Sequence, residues 1–151
     1  VYLSFTHIHN AIESLTWAES ACKEALTIYS VQNNSSDFAR TQNNLSFVYS
    51  NRARLGMSPK SNINKSIESL AQTLTVWTVA EYPSRYALAS GNLADAYVDL
   101  SKLEDEKAHL EKAVKMYDNA LQAIDKDQYQ FDYEKWSEKK KIAEKRLKMR
   151  R

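Results

Sequence analysis

An all-α chain of antiparallel helical hairpins is what the sequence predicts, on three observations. Glycine and proline are scarce: 151 residues hold only Gly56, Gly91, Pro59 and Pro83. Tight-turned sheets and phosphate-cradling loops need more glycine than that. The chain also matches itself at an offset of 48 residues, and within each copy the apolar residues recur at helical spacing. Composition agrees, with 43% hydrophobic and 26% charged residues, as in an ordinary globular domain.

The self-match lays Leu26–Leu55 over Leu74–Leu103, with nine of thirty positions identical, Leu45/Leu93 and Tyr49/Tyr97 among them. A slide of 47 then lays Ile63, Ile67, Leu70 and Leu74 over Leu110, Val114, Tyr117 and Leu121. This divides the chain into a partial repeat (1–30), repeats over 36–80 and 84–125, and a capping segment over 131–151.

Taken in order, residues 1–14 read either as the tail of an earlier helix or as the start of one long helix. Leu15–Tyr29 follows as a second-type helix. Ser36 and Ser84 are expected to cap the next first-type helices, because a hydroxyl accepts from a free backbone N–H. Phe38, Leu45, Val48, Tyr49 and Arg52 keep helical spacing, as do Tyr86, Leu93, Ala96, Tyr97 and Leu100. Gly56, Pro59 and Ser61 interrupt the first copy, and Ser101–Glu106 is a polar break in the second. Second helices are predicted from about Asn62 to Ala80 and from about Lys107 to Ile124. Pro83 is expected to stop the helix that carries Trp77. A final helix from about Tyr133 to Met149 has a thin stripe (Trp136, Ala143, Leu147) with Lys140 within it, which suits a solvent-facing cap.

Asn92-Leu93-Ala94-x-x-Tyr97, followed by Ala113-x-x-x-Tyr117-x-x-Ala120-Leu121, resembles the tetratricopeptide consensus. Asn44-Leu45-Ser46-x-x-Tyr49 and Ser66-x-x-x-Leu70-x-x-Thr73-Leu74 are a looser copy. The repeat here is longer than that family's 34 residues. Long Asn-Leu-rich repeats of this kind look like those of large bacterial signalling proteins. The resemblance implies a short right-handed solenoid whose first helices line a groove for a peptide or partner domain. It places Asn44 and Asn92 at the family's peptide-contacting position, with Arg40, Asn43, Asn51, Asp95 and Asp99 on or near the same face. The opposing reading is that both Asn amides bond the adjoining repeat and hold the stack together. The family's carboxylate clamp is not reproduced, since position 88 is Leu.

Charge is uneven. Residues 134–151 hold nine Lys/Arg against three Glu, and the other 133 residues hold twelve against sixteen Asp/Glu. The basic segment offers a second functional reading, nucleic-acid binding through Lys139, Lys140, Lys141, Lys145, Arg146, Lys148, Arg150 and Arg151. Interspersed Glu134, Glu138 and Glu144, and the attraction of terminal cations to a helix dipole, favour a solvated cap instead.

No metal, cofactor or catalytic residue is expected. His7 and His9 diverge on a helix, and Cys22 falls at a packing position equivalent to Leu70. Glu104-Asp105-Glu106 and Asp125-x-Asp127 lack the spacing of a calcium loop. No phosphate-binding or nucleophile motif occurs. Val1 suggests a fragment or processed chain, and an apolar face at Tyr2, Leu3 and Phe5 is expected to dock onto missing repeats or a second copy. The cytoplasm is the default location.

Overall fold

A computed structural model describes residues 4–150. Among them lie six helices and no strands: α1 (Phe5–Ala25), α2 (Ser35–Arg54), α3 (Pro59–Leu74), α4 (Pro83–Ser101), α5 (Glu106–Ala123) and α6 (Gln130–Lys148). Each helix packs on its sequence neighbours, α2 on α3 and α4 on α5 most extensively.

The direction of packing follows from the cross-helix bonds. The Ser66 hydroxyl on α3 donates to the Ser46 carbonyl on α2, while Thr73, two turns further along α3, donates to Ala39, two turns back. The two helices are therefore antiparallel. On α4 and α5, Asp95 meets Tyr117 and Tyr97 stacks on His109, again in opposite order. Each hairpin turns in four residues, 55–58 and 102–105, and each turn ends on a left-handed residue, Ser58 (φ 40°) or Asp105 (φ 40°). Gly56 (φ 77°) takes the position in the first turn where a Cβ would be strained.

The core follows the small and apolar residues of these interfaces. Ala87, Ala94, Ala113, Tyr117, Ala120, Ile124 and Trp136 form one cluster joining α4, α5 and α6. Ala39, Leu70, Val76, Trp77, Ala89 and Leu93 form another between α2, α3 and α4. Alanine at the crossing points lets helix backbones approach closely. Gly91 carries this furthest, since a Cβ there would stand inside the Trp136 indole.

Helix ends differ from the sequence expectations. Ser36 and Ser84 are not N-caps: α2 starts at Ser35, two residues before the expected start, behind left-handed Asn34, and α4 starts at Pro83. Proline suits a first helical turn, where its missing N–H has no intrahelical partner. Pro83 thus begins α4 and does not terminate α3, which already ends at Leu74. Trp77 lies beyond α3, in the connection, and is buried there against the core, with the Arg85 guanidinium over its ring. For the same reason α3 begins at Pro59, so Pro59 and Ser61 belong to the helix, not to the turn. Of the first fourteen residues, those described from Ser4 onward resolve in favour of one long helix, with Ser4 capping α1 through its hydroxyl. That helix ends at Ala25 and stops short of Tyr29.

α1 is the least embedded element. No residue of it is fully buried. Its main anchor is Glu19, which pairs with Arg52 and accepts from the Tyr49 hydroxyl at 3.3 Å, with Lys23 at 2.7 Å beside it. Burial raises the Glu19 pKa, but hydrogen bonds from Lys23 and Arg52 outweigh it and hold the carboxyl below its usual range. Cys22 faces the same side, half-buried, its thiol pushed up by burial and then by Glu19. Phe5 is exposed, as expected, while Tyr2 and Leu3 lie outside the described residues.

Candidate functional site: the cleft between α2, α4 and α6

A cleft of about 600 Å³ opens where three helices distant in sequence converge. Arg54 enters it from the end of α2, Asp95, Val98 and Asp99 from one stripe of α4, and Lys102 from the residue just after that helix. Lys139, Ile142, Ala143 and Arg146 close it from α6, and Tyr117 of α5 forms its back. The α4 and α6 contributions recur at three- and four-residue steps, so each helix presents one face to the opening.

Asp95 organises the interior. The Tyr117 hydroxyl donates to one of its oxygens at 2.5 Å, and the Lys139 ammonium reaches both at 2.9 Å. Burial, followed by this adjacent carboxylate, drives the Tyr117 pKa far upward, so the phenol remains a donor at any ordinary pH. The contact ties α4, α5 and α6 together at one point.

The basic residues of α6 turn inward more than the sequence suggests. Lys139 is held by Asp95, Lys140 by Asp118 at 2.5 Å, and Arg146 by Glu106 at 2.8 Å, with Arg150 on the same carboxylate. The Glu106 carboxyl is accordingly held below its usual range, chiefly by the Arg146 hydrogen bond. Lys140 is shifted upward by its bond to Asp118. Lys141, Lys145 and Lys148 face solvent without a carboxylate partner among the described residues, and Arg151 lies outside those residues.

The residues singled out from the sequence are partly brought together. Asn92, Asp95 and Asp99 line a narrow extension of the cleft with Phe47, Ser50 and Arg54. Asn51 is exposed near this extension and donates to the Phe47 carbonyl at 2.8 Å. Arg40 is exposed at the start of α2, paired with Asp37, and Asn44 is exposed on its own. Asn43 is half-buried, with an amide oxygen that no donor reaches among the described residues. Neither the Asn44 nor the Asn92 amide bonds an adjoining helix among the described residues.

Arg54 and Ile142 are what sequence reasoning missed. A signal for Arg54 was present: positions 40, 43, 47, 50 and 54 form one helical stripe on α2. Nothing comparable pointed to Ile142, which faces the cleft although it interrupts a basic run.

Among the described residues no group of His, Cys, Asp and Glu gathers as a metal site. No described helix is long and apolar enough to cross a membrane. Comparison with protein-family models, with curated proteins and with solved structures found no match.

Proposed function

We propose that this chain is a protein-interaction module of tetratricopeptide-like hairpins, stacked as a short right-handed solenoid, that holds a segment of another protein in the α2/α4/α6 cleft. The observation that carries the reading is the cleft itself. Three helices separated in sequence converge on it with apolar side chains (Val98, Ile142) beside charged ones. A mixed lining of this kind gives both buried contact and orientation to a ligand. α2 and α4 are the first-type helices of the repeat, which the tetratricopeptide resemblance assigns to the groove, and α6, the capping segment, closes its open side. No catalytic step is assigned.

The test is a pull-down with the wild-type chain, Ile142→Asp and Asn92→Ala, with circular dichroism as the folding control. A partner retained by wild type and lost by folded Ile142→Asp supports the cleft. A partner captured equally by all three sinks it.

The nucleic-acid reading is weakened by the inward pairing of Lys139, Lys140, Arg146 and Arg150. Self-association through α1 has a specific observation in its favour. Asn62, Ser66 and Ser69 of α3 are buried against α2, whereas their repeat equivalents Ser14, Ala18 and Ala21 of α1 are exposed, beside Trp17 at 71% exposure. A second copy of the chain docking there would cover them. Sedimentation of wild type against Ala18→Glu tests it, and a wild type that stays monomeric at high concentration removes this reading.

A further inference from the structure

The charge pattern of the cleft narrows what it accepts, given the reading of it as the partner site. Its acidic groups are already engaged: Asp95 is held by Tyr117 and Lys139, and Asp99 is reached by Lys102 at 3.3 Å. Arg146 is held by Glu106. Arg54 differs from these. It is exposed at the mouth and has no carboxylate within ion-pair distance among the described residues. Its guanidinium is a planar fork of donors suited to a carboxylate. Across the cleft stands Ile142, 53% exposed, an apolar side chain within a strongly basic helix.

We propose that the cleft takes an acidic-apolar peptide segment, with a carboxylate side chain on Arg54 and an aliphatic or aromatic side chain on Ile142 and Val98. Charge complementarity is satisfied by one ligand carboxylate, because the remaining cations of the lining are neutralised within the protein. A polyanion is a poorer fit. Phosphate backbones draw affinity from several cations at once, and here Asp95 and Asp99 stand in the way.

The experiment selects a random dodecapeptide phage library on the intact chain, then re-tests the bound sequences on folded Arg54→Glu and Ile142→Asp. Lys115→Glu, on the exposed face of α5, controls for net charge. Ile142 is half in solvent, so its variant is expected to fold, and the milder Ile142→Ser is the substitute if it does not. The expected result is binders lost by Ile142→Asp that carry Asp or Glu within two residues of Leu, Ile or Phe. Their Kd rises about tenfold or more in Arg54→Glu and stays constant in Lys115→Glu. Neutral or basic binders that lose affinity in Ile142→Asp but not in Arg54→Glu overturn the charge assignment and leave the cleft as the partner site. Binders indifferent to Ile142→Asp, or no binders at all, overturn both. A short single-stranded oligonucleotide held by wild type and lost by Arg54→Glu would make the cleft a polyanion site and also overturn the proposal.

Discussion

Gly91 of α4 and Trp136 of α6 occupy one another's space: the indole lies where a side chain at position 91 would begin. Trp136 is 1% exposed and is the largest fully buried side chain among the described residues. Gly91 sits in mid-helix, where glycine costs about 1 kcal/mol relative to alanine. Here the gain in packing offsets that cost. Gly91→Ala is therefore expected to destabilise the fold by roughly 1–3 kcal/mol, against its better helix propensity. Trp136→Ala is expected to cost about 3–5 kcal/mol. In the double variant the alanine at 91 loses its clash, so urea denaturation of all four proteins should give a non-additive cycle. Simple additivity would show that the two residues do not share a constraint.

Tyr117→Phe tests the junction at Asp95. The change removes one donor to a partly buried carboxylate and leaves the ring in place, for an expected loss of roughly 1.5–3 kcal/mol. Lys139→Met removes the other donor from the same acceptor. The two variants together are expected to be worse than their sum, since Asp95 then loses its last donors. Thermal melts of the three variants measure it.

Acid should weaken the fold from both ends. Glu19, bonded by Lys23 and Arg52, and Glu106, bonded by Arg146, both have folded pKa values below their unfolded ones. Such groups bind fewer protons in the folded state, so their stabilisation is complete above the unfolded carboxyl value of about 4.3. It is lost as pH falls through the depressed folded values. The urea midpoint is expected to hold between pH 7 and 5 and to drop below about pH 4. Glu106→Gln and Glu19→Gln should each be less stable at neutral pH and show a shallower acid dependence. A variant retaining the wild-type slope would remove that residue from the account.

α1 should open before the rest of the molecule. It buries no residue fully and packs principally on α2. Native-state hydrogen exchange is expected to show its amides exchanging with the lowest opening free energy of the six helices. Arg52→Ala, by removing its main cross-helix ion pair, should speed exchange in α1 and leave α4 and α5 unchanged. Equal protection across α1 and α5 would contradict this.

The helical class was legible because it depends on what the sequence lacks and on periodicity, both of which survive one-residue errors. Helix ends were less so. Ser36 and Ser84 look like caps locally, yet Asn34 in a left-handed conformation and Pro83 at the first turn set the starts. Proline was read as a stop where it serves as a start, a distinction that depends on which side of it the helix packs. The cleft was half legible. Asp95 and Asp99 fall on the predicted face by helical spacing, but Asp95 takes its partners, Tyr117 and Lys139, from 22 and 44 positions away. Only the packing of α6 back onto α4 and α5 brings Lys139 to Asp95 and Arg146 to Glu106. A net charge per segment cannot show that half a basic run is paired with the protein's own carboxylates.

The ion pairs of α6 have a thermodynamic corollary. Lys139 and Arg146 fasten the last helix to the bundle and also form a wall of the cleft. On the proposed reading of the cleft, its occupancy and the attachment of α6 are two linked equilibria with one coupling free energy, and linkage of this kind is reciprocal. In that case a ligand that draws either cation toward itself loosens the helix, and release of the helix changes the ligand's affinity by the same factor. In that proposal α6 is an adjustable jaw as well as a cover.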